Sequence, residues 1–211
     1  MPTRARKAVV PAARERLTRD RVVSAALRIM DDEGLDAVTM RRIAREVGVE
    51  AMSLYHHVRD KEDLLDGVCA IVMREFRYPD EDRPWIEVAR DGAREWRRVL
   101  REHPNVIALW ADRQRPMTEL EALMPMEFAL RVIARAGIDD REGVLVFNVL
   151  GGYIMGVVMM EVGAMFSAGT SRVGAPSGSH AVHSKLPDEA FARLLPADTL
   201  PCLVAALPHL A

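Results

Sequence analysis

The sequence predicts an all-α protein, and three observations support this fold class. Aromatic residues make up 5% of the 211 residues, whereas Ala, Leu, Arg, Glu and Met, which lose little side-chain freedom in a helix, are abundant. From residue 18 onward, apolar residues recur at the spacing of a helix face. Residues that start and stop helices flank these stretches. With 49% apolar residues, the chain can bury the core of one or two domains.

Repeated start and stop signals predict the first two helices. Residues 1–17 are rich in Arg, Ala and Pro without an apolar stripe, and we expect a flexible basic arm there. Thr18 can cap a first helix that ends at Gly34, and Thr39 can cap a second helix, about two turns long, that ends at Gly48. In both helices an apolar residue precedes the cap at the spacing of a hydrophobic staple.

Two further helices complete the N-terminal part of the chain. A third is predicted over residues 51–57, and a fourth over residues 61–78 carries an apolar face behind the cap residue Asp60. Two short helices joined by a turn that contains Gly form the helix-turn-helix pattern, although an ordinary helical hairpin has the same pattern. We therefore expect a helix-turn-helix domain over residues 18–60, with residues 61–78 as a connecting helix.

Residues 79–211 are predicted to form a helical bundle that binds a ligand and dimerises. A capping-box pair at Asp139 and Glu142 opens a long apolar helix. Gly, Ser, Pro and His then predict a flexible loop near residues 168–185. The other helices expected in this region cover about residues 85–99, 104–111, 118–136 and 186–195, and three prolines then lead out of the chain.

The apolar stretch 144–160 raises the alternative of a membrane span. Its 17 residues lie at the lower edge of the spanning range, Asn148 interrupts it and Glu161 ends it. A helix that is apolar all round can equally lie inside a bundle, so we expect no membrane partner. The N-terminus has no apolar segment of signal-peptide length, and we expect a cytoplasmic protein. Cys69 and Cys202 lack metal-ligand spacing, which predicts buried apolar roles.

The charge is unevenly distributed along the chain. Residues 1–60 hold 12 Lys and Arg against 9 acidic residues, so the front carries +3 while the remainder carries −5. A basic module on an acidic body is expected if only the front meets a polyanion such as DNA. The excess is small, so it supports this interpretation only together with the motif.

The outward face of the third helix favours DNA as the partner. With Leu54 and Val58 inward, that face is apolar, aromatic and rich in imidazole, which suits the base edges of a major groove. Basic residues at the starts of the neighbouring helices are placed for phosphates. The predicted DNA-contacting residues are Thr39, Arg41, Arg42, Ala51, Met52, Ser53, Tyr55, His56, His57 and Lys61.

Residues 18–78 resemble the N-terminal domain of the tetracycline-repressor family of regulators. The resemblance implies a homodimer whose two recognition helices read a palindrome in double-stranded DNA, with Arg41 as the best candidate for a base contact. Ala51 departs from the pattern, because a methyl group cannot replace a longer polar side chain, and we expect a different operator. The residues in register are Thr39, Ile43, Ala44, Val47, Gly48, Val49, Leu54, Tyr55, Val58, Lys61, Leu64 and Leu65.

The C-terminal half resembles the tetracycline-binding regulatory domain of that family more loosely. Trp85, the Arg115-Pro116 pair, Gly137 and the Gly-rich apolar helix align. The His that would coordinate a drug-bound magnesium is replaced, with Trp110 at or next to its position. Gly152 and Met160 replace the other polar and acidic groups. We therefore expect a ligand other than magnesium-tetracycline, and neither a metal nor a cofactor.

Met and aromatic residues around a few polar groups predict a cavity for an apolar effector, with a polycyclic compound as one candidate. Each of these residues, taken alone, could equally be core. The predicted lining residues are Trp96, Trp110, Met124, Glu127, Phe128, Asn148, Gly152, Met155 and Met159.

These patterns together predict a transcriptional regulator, and a repressor that releases its operator when ligand binds, although activation stays open. The alternatives are an all-helical enzyme, with His56, His57 or His103 beside an acid, and a dimeric interaction protein that does not bind DNA. No His pair has the H-x-x-x-H spacing, and we expect no enzymatic activity. The family closes its dimer with a final long helix. This sequence ends at Ala211, where that helix is expected to start. The alternatives are a truncated form of the protein and a chain that dimerises through residues 139–166 alone, and we expect a weaker or altered dimer.

Overall fold

The structure is a computed structural model that describes residues 16–112, 117, 119–163 and 195–209. Within these residues every regular element is helical, which confirms the predicted all-α class. Short 3-10 turns cover Leu35–Ala37 and Leu207–His209. In chain order the helices are α1 (Arg19–Glu33), α2 (Met40–Val47), α3 (Ala51–Leu54), α4 (Lys61–Arg74), α5 (Trp85–Glu102), α6 (Asn105–Asp112), α7 (Leu120–Arg135), α8 (Asp140–Glu161) and α9 (Pro201–Ala206).

The four predicted N-caps of the helices are confirmed. Each cap side chain accepts a hydrogen bond from the backbone N–H three residues later, as a free helix N-terminus requires. Gly48 ends α2 with a positive φ of 75°, a conformation in which any side chain would be strained. The bonds run to Thr18 from Arg21 (3.2 Å), to Thr39 from Arg42 (3.2 Å), to Asp60 from Asp63 (2.7 Å) and to Asp139 from Glu142 (2.9 Å).

Two N-terminal helices are shorter than the sequence predicts. The third stops at Leu54 rather than at residue 57, because the next N–H groups close three-residue bonds, such as the 2.8 Å bond from His57 to Leu54. The fourth stops at Arg74 rather than at residue 78. Pro79 disfavours a helical conformation at the residue before it, so the chain leaves the helix ahead of that proline.

The N-terminal and C-terminal parts share one hydrophobic core. A single buried cluster runs from Val22 on α1, through Leu54 and Val68, to Phe128 and Val132 on α7. Helix α7 lies at the centre and packs against α4, α5, α8 and α9. The Arg19 guanidinium also links α1 to both parts, since it donates to Asp63 at 3.3 Å and to Glu119 at 2.6 Å. The connecting helix α4 is therefore embedded in the core.

Helix α9 was not predicted, because three prolines suggested only an exit path. Pro201 occupies the first turn of the helix, where its missing N–H does no harm. The carboxylate of Glu127, which is fully buried, accepts hydrogen bonds from the backbone N–H groups of Cys202 (3.2 Å) and Leu203 (2.7 Å). Arg131 lies 3.5 Å from the same carboxylate. Glu127 thus attaches α9 to α7.

Helix α8 is long and apolar enough to cross a membrane by length and composition, with a mean hydropathy of 2.0. One of its faces packs against α5 and α7. The opposite face exposes a row of large apolar side chains at helical spacing, which we call the α8 stripe: Leu145, Val149, Tyr153 and Met160.

Several predicted features lie outside the described residues. They are the first 15 residues of the arm, the Arg115-Pro116 pair, the loop near 168–185 and nearly all of the helix over 186–195.

Candidate functional site

The start of α2 and the segment 51–57 present the predicted DNA-contacting side chains on one end of the molecule. Met52 is 72% exposed and Tyr55 46%, and His56 is exposed beside them. Arg41 is exposed at the start of α2, with no ion-pair partner within the described part of the chain. Met52 and Tyr55 lie three residues apart, so together they form an apolar patch, and patches of this kind mark interaction sites.

Arg42 differs from its neighbour Arg41, because two carboxylates hold its guanidinium. Glu33 on α1 accepts from it at 2.6 Å and Glu46 on α2 at 2.8 Å, so the side chain joins the two helices. These hydrogen bonds raise the pKa of Arg42 above its ordinary value. The phosphate contact predicted for Arg42 would have to compete with both partners.

The remaining predicted DNA contacts lie nearby with different exposure. Thr39 is exposed, but its hydroxyl caps α2. Lys61 is exposed at the first turn of α4, where the helix dipole also favours an anion. Sequence reasoning did not select Arg59, two residues before Lys61, whose side chain is 77% exposed and has one carboxylate partner, Asp63 at 3.3 Å. The residues Ala51, Ser53 and His57 are half-buried.

A cavity of about 300 Å³ lies among the end of α4, α5, α6, α7 and α8. Among the predicted lining residues, Met124 packs instead in the cluster around α9, Glu127 caps α9, and Met159 lies on α8 outside the cavity wall. Six predicted residues do line it: Trp96, Trp110, Phe128, Asn148, Gly152 and Met155.

Aromatic rings form one side of the cavity. The indoles of Trp96 and Trp110 are stacked, with centroids 5.4 Å apart and planes at 4°. Phe76, two residues beyond α4, meets Trp96 edge-on at 6.3 Å and Phe128 at 5.8 Å. A Cβ added at Gly92 would lie 2.8 Å from a ring carbon of Phe128, so the glycine lets that ring approach α5. The wall therefore offers flat surfaces to a planar ligand.

The sequence missed much of the rest of this wall. Phe76 belongs to a stretch assigned to the connecting helix, and nothing local indicates that it turns into the cavity. Ala89, Gly92 and Ala93 could have been found from their helical spacing with Trp96, since a run of small residues leaves space beside a large one.

Polar groups are few in the described cavity wall. The side-chain donors there are the Asn148 amide and the two indole N–H groups, and no charged side chain lines it. The Trp110 nitrogen is buried without an acceptor within the described residues. Arg131 lies behind Phe128, 6.0 Å from its centroid, and is held by Glu81 at 2.7 Å. Such a wall suits a neutral ligand.

Tyr78 borders the same aromatic cluster, with its ring centroid 5.0 Å from that of Phe76. Burial raises the pKa of Tyr78 to about 12, although the charge of Arg131 acts in the opposite direction. The phenol is therefore neutral at physiological pH.

Comparison with known proteins places this architecture in a family. Residues 22–68 match the family described as "Bacterial regulatory proteins, tetR family", and residues 78–207 match the family described as "Tetracyclin repressor-like, C-terminal domain". The chain therefore belongs to the TetR family of DNA-binding transcriptional regulators. This is not a family of enzymes, which confirms the expectation that the chain is not one.

The chain is similar to the HTH-type transcriptional repressor DrrR1 of Streptomyces coeruleorubidus, with 36% identity over 148 residues. That match covers 69% of this chain and 54% of the relative, so the aligned part spans about half the length of that protein.

Two solved structures share the fold. The TetR family protein ActR of Streptomyces coelicolor in complex with actinorhodin has 28% identity and a TM-score of 0.63, covering 93% of this chain and 88% of ActR. BioQ with its double-stranded DNA operator has 29% identity and a TM-score of 0.61, covering 72% of this chain and 90% of BioQ.

Proposed function

We propose that this chain is a cytoplasmic repressor that binds a palindromic operator as a homodimer and releases it when a neutral, planar aromatic ligand enters the cavity. The observation that carries the proposal is the position of Phe76. This residue lines the cavity and follows α4 by two residues, so a ligand would touch the segment that leads to the DNA-binding helices. The relative DrrR1 is a transcriptional repressor, which supports repression rather than activation.

The exposed side chains at one end of the molecule support DNA binding. Met52 and Tyr55 project from a short segment whose inner face is fixed by the fully buried Leu54, which suits insertion into a major groove. Arg41 has no competing carboxylate among the described residues, whereas Arg42 has two. We infer that Arg41 reads a base and that Lys61 and Arg59 meet phosphates. The BioQ complex with an operator supports this use of the fold.

The ligand class follows from the cavity wall. Stacked indoles and two phenylalanine rings favour flat aromatic ligands, and the absence of charged side chains in the described wall disfavours an ionic one. An acceptor on the ligand could pair with Asn148 or an indole N–H, which would orient it. The ActR complex with actinorhodin supports a small-molecule role for this region.

The α8 stripe supports the homodimer. Its side chains are apolar and largely exposed in the single chain, and a patch of this kind is stabilised when a second copy covers it. Gly152 and Gly156 lie close to the stripe. If two α8 helices packed across a two-fold axis, these glycines would be near the point where the helices cross, and small residues there let the helices approach closely.

Coupling requires only that the ligand bind one arrangement of the dimer better than the other. A shift of α4 would change the separation of the two recognition segments, which must match about 34 Å of B-DNA. A coupling free energy of about 1–3 kcal/mol, or about 5–150-fold in operator affinity, is the usual range.

The DNA proposal is tested by selecting bound sequences from random double-stranded DNA at two salt concentrations. We expect an inverted repeat that Arg41→Ala and Tyr55→Ala abolish, while Arg90→Ala, which removes an exposed charge on α5, leaves binding unchanged. Lys61→Ala should weaken binding to all sequences and reduce the salt dependence by about two ions, one for each protomer of the dimer. Enrichment of no sequence at either salt, or equal losses in Arg90→Ala, would contradict the proposal.

The ligand proposal is tested with a panel of neutral polycyclic aromatic compounds added to the complex of protein and selected operator. We expect a planar member to bind, to quench tryptophan fluorescence and to release the DNA. Trp96→Ala should abolish both effects, and Trp85→Ala, an exposed indole outside the cavity, should abolish neither. Release that survives Trp96→Ala would place the ligand elsewhere.

A further inference from the structure

A cluster of ionisable side chains lies apart from the DNA surface and the ligand cavity, where α1, α4 and α5 end close together. At its centre is His103, directly after α5, whose side chain is only 12% exposed. Its Nδ1 lies 2.8 Å from Asp31 Oδ2 on α1, and its Nε2 lies 3.2 Å from Glu75 Oε2 directly after α4. The carboxylate of Glu102, the last residue of α5, lies beside the same imidazole.

The contact with Asp31 fixes the orientation of the imidazole. When Nδ1 carries the proton and donates it to that carboxylate, Nε2 keeps a lone pair on the side of Glu75, whose Oε2 lies 3.2 Å away. Histidines that bind metals in proteins almost always donate their other N–H to a carboxylate, a carbonyl or water in this way. Asp31 thus positions His103 as a metal-binding histidine is positioned.

The separations also fit a metal ion. One ring nitrogen of His103 and one carboxylate oxygen each from Glu75 and Glu102 lie within 4.8 Å of one another. Ligands about 2.0–2.2 Å from a tetrahedral Zn²⁺ are about 3.3–3.5 Å apart, and the Nε2 to Glu75 distance already approaches this. The Glu102 side chain is 51% exposed and can turn inward.

The charge around the imidazole is negative. The carboxylates of Asp31, Glu75 and Glu102 lie beside it. The nearby guanidinium of Arg98 donates to the side chains of Glu95 and Glu102 and to the Glu75 carbonyl oxygen. A cation that took Glu102 would leave Arg98 paired with Glu95, so no positive charge would lose all its partners.

We propose that His103, Glu75 and Glu102 bind a divalent transition-metal ion such as Zn²⁺, with Asp31 orienting the histidine and water completing the coordination. The sequence indicated no metal site because local spacing reveals only ligands that are close together in the chain. His103 lies 28 residues from Glu75. The ion would join α1 and the end of α4 to α5, and so strengthen the junction between the DNA-binding helices and the ligand domain. The proposal does not depend on DNA binding.

The test uses the full chain, freed of any affinity tag and stripped with a chelator. It is titrated with Co²⁺, followed by visible d–d absorption, and with Zn²⁺ by calorimetry. We expect one equivalent to bind, and His103→Gln, Glu75→Gln and Glu102→Gln each to weaken binding at least tenfold. Asp31→Asn should weaken it about 10- to 100-fold. Because Glu102 is exposed, its variant should fold even if the His103 variant does not.

Three controls separate this site from other metal-binding groups. The double variants His56→Asn with His57→Asn and His180→Asn with His183→Asn remove the other closely spaced histidines, and Glu87→Gln removes an exposed carboxylate elsewhere on α5. All three should keep wild-type affinity, and Zn²⁺ should raise Tm in the wild type but not in Glu102→Gln. Absence of binding in the wild type, or binding lost in a histidine control and retained in Glu102→Gln, would overturn the proposal and make His103 an imidazolium bridge between Asp31 and Glu75.

Discussion

The Cys202 thiol lies beside the buried carboxylate of Glu127 at the start of α9. Burial, followed by the charge of Glu127, raises its pKa from 9.0 to about 11. At pH 9.0 about 1% of this thiol is ionised, against about half of an unperturbed one. We therefore expect iodoacetamide to react about 50-fold more slowly with Cys202 in the folded chain than in urea.

The measurement uses Cys69→Ala, which leaves Cys202 as the single thiol in the chain. The rate should keep rising with pH up to about 11 and not level off near 9. A plateau near 9 would contradict the raised pKa. The structure also corrects one expectation here: Cys202 is half-buried, whereas Cys69 is buried as predicted.

Gly92 provides a second test at the residue scale. In Gly92→Ala the new methyl group would meet the Phe128 ring at 2.8 Å, so this ring, which lines the cavity, would have to shift. We expect a loss of about 1–3 kcal/mol from overpacking, partly offset by about 1 kcal/mol of helix propensity, with ligand affinity at least tenfold weaker. Urea denaturation and a ligand titration measure both effects.

Gly151→Ala is the matched control, because Gly151 also lines the cavity but an added Cβ there meets nothing within 4 Å. That variant should be at least as stable as the wild type. Equal effects at the two glycines would show that the contact between Gly92 and Phe128 is unimportant.

The helix starts show which features of an element can be predicted from sequence. Thr18, Thr39, Asp60 and Asp139 were identified as caps because a capping bond joins residues only three apart. Helix α9 was missed because the group that receives its first N–H bonds, Glu127, lies 75 residues away from Cys202. Arg41 and Arg42 look alike in sequence, but only the folded chain places Glu33 beside one of them.

A substitution at Glu127 tests whether this residue attaches α9 to α7. Replacing it by Ala would leave the N–H groups of Cys202 and Leu203 without this acceptor, the second of them buried, and would remove a charge that faces Arg131. We expect a loss of about 3 kcal/mol and faster proteolysis near α9. Urea denaturation and limited proteolysis provide the readouts.

The control on the same helix is Glu121→Ala, which removes an exposed pair with Arg74 and should cost about 0–1 kcal/mol. If both variants lost the same stability, Glu127 would not attach α9 to α7.

At the scale of the whole molecule, the α8 stripe predicts how two copies pair. Tyr153 is 70% exposed, and a carboxylate there would be buried without a partner in a dimer. We expect Tyr153→Glu to raise the dimer dissociation constant at least about 100-fold and to abolish binding to an inverted repeat. Sedimentation velocity over a concentration series measures the shift.

Ile86→Glu introduces the same charge at an exposed apolar residue on α5 and should leave the dimer intact. A Tyr153→Glu variant that stayed dimeric would move the interface away from α8. The sequence predicted the apolar character of this helix, but not which of its sides packs inward. Every side of it is apolar, and the sides are distinguished by long-range contacts with α5, α7 and α9.

The continuous core from α1 to α7 has a consequence for protein engineering. One engineering approach to such regulators is to exchange the DNA-binding domain between two proteins at the connecting segment, as if it were an independent unit. In this chain an exchange at residue 78 would divide the buried cluster, which holds Val68, Val72 and Phe76 on one side of that boundary and Phe128 and Val132 on the other. A chimera that replaced residues 18–78 alone would place mismatched side chains inside this shared core. Exchange should succeed when the donor also supplies the facing residues of α7, so operator specificity and ligand response are inherited together more readily than apart.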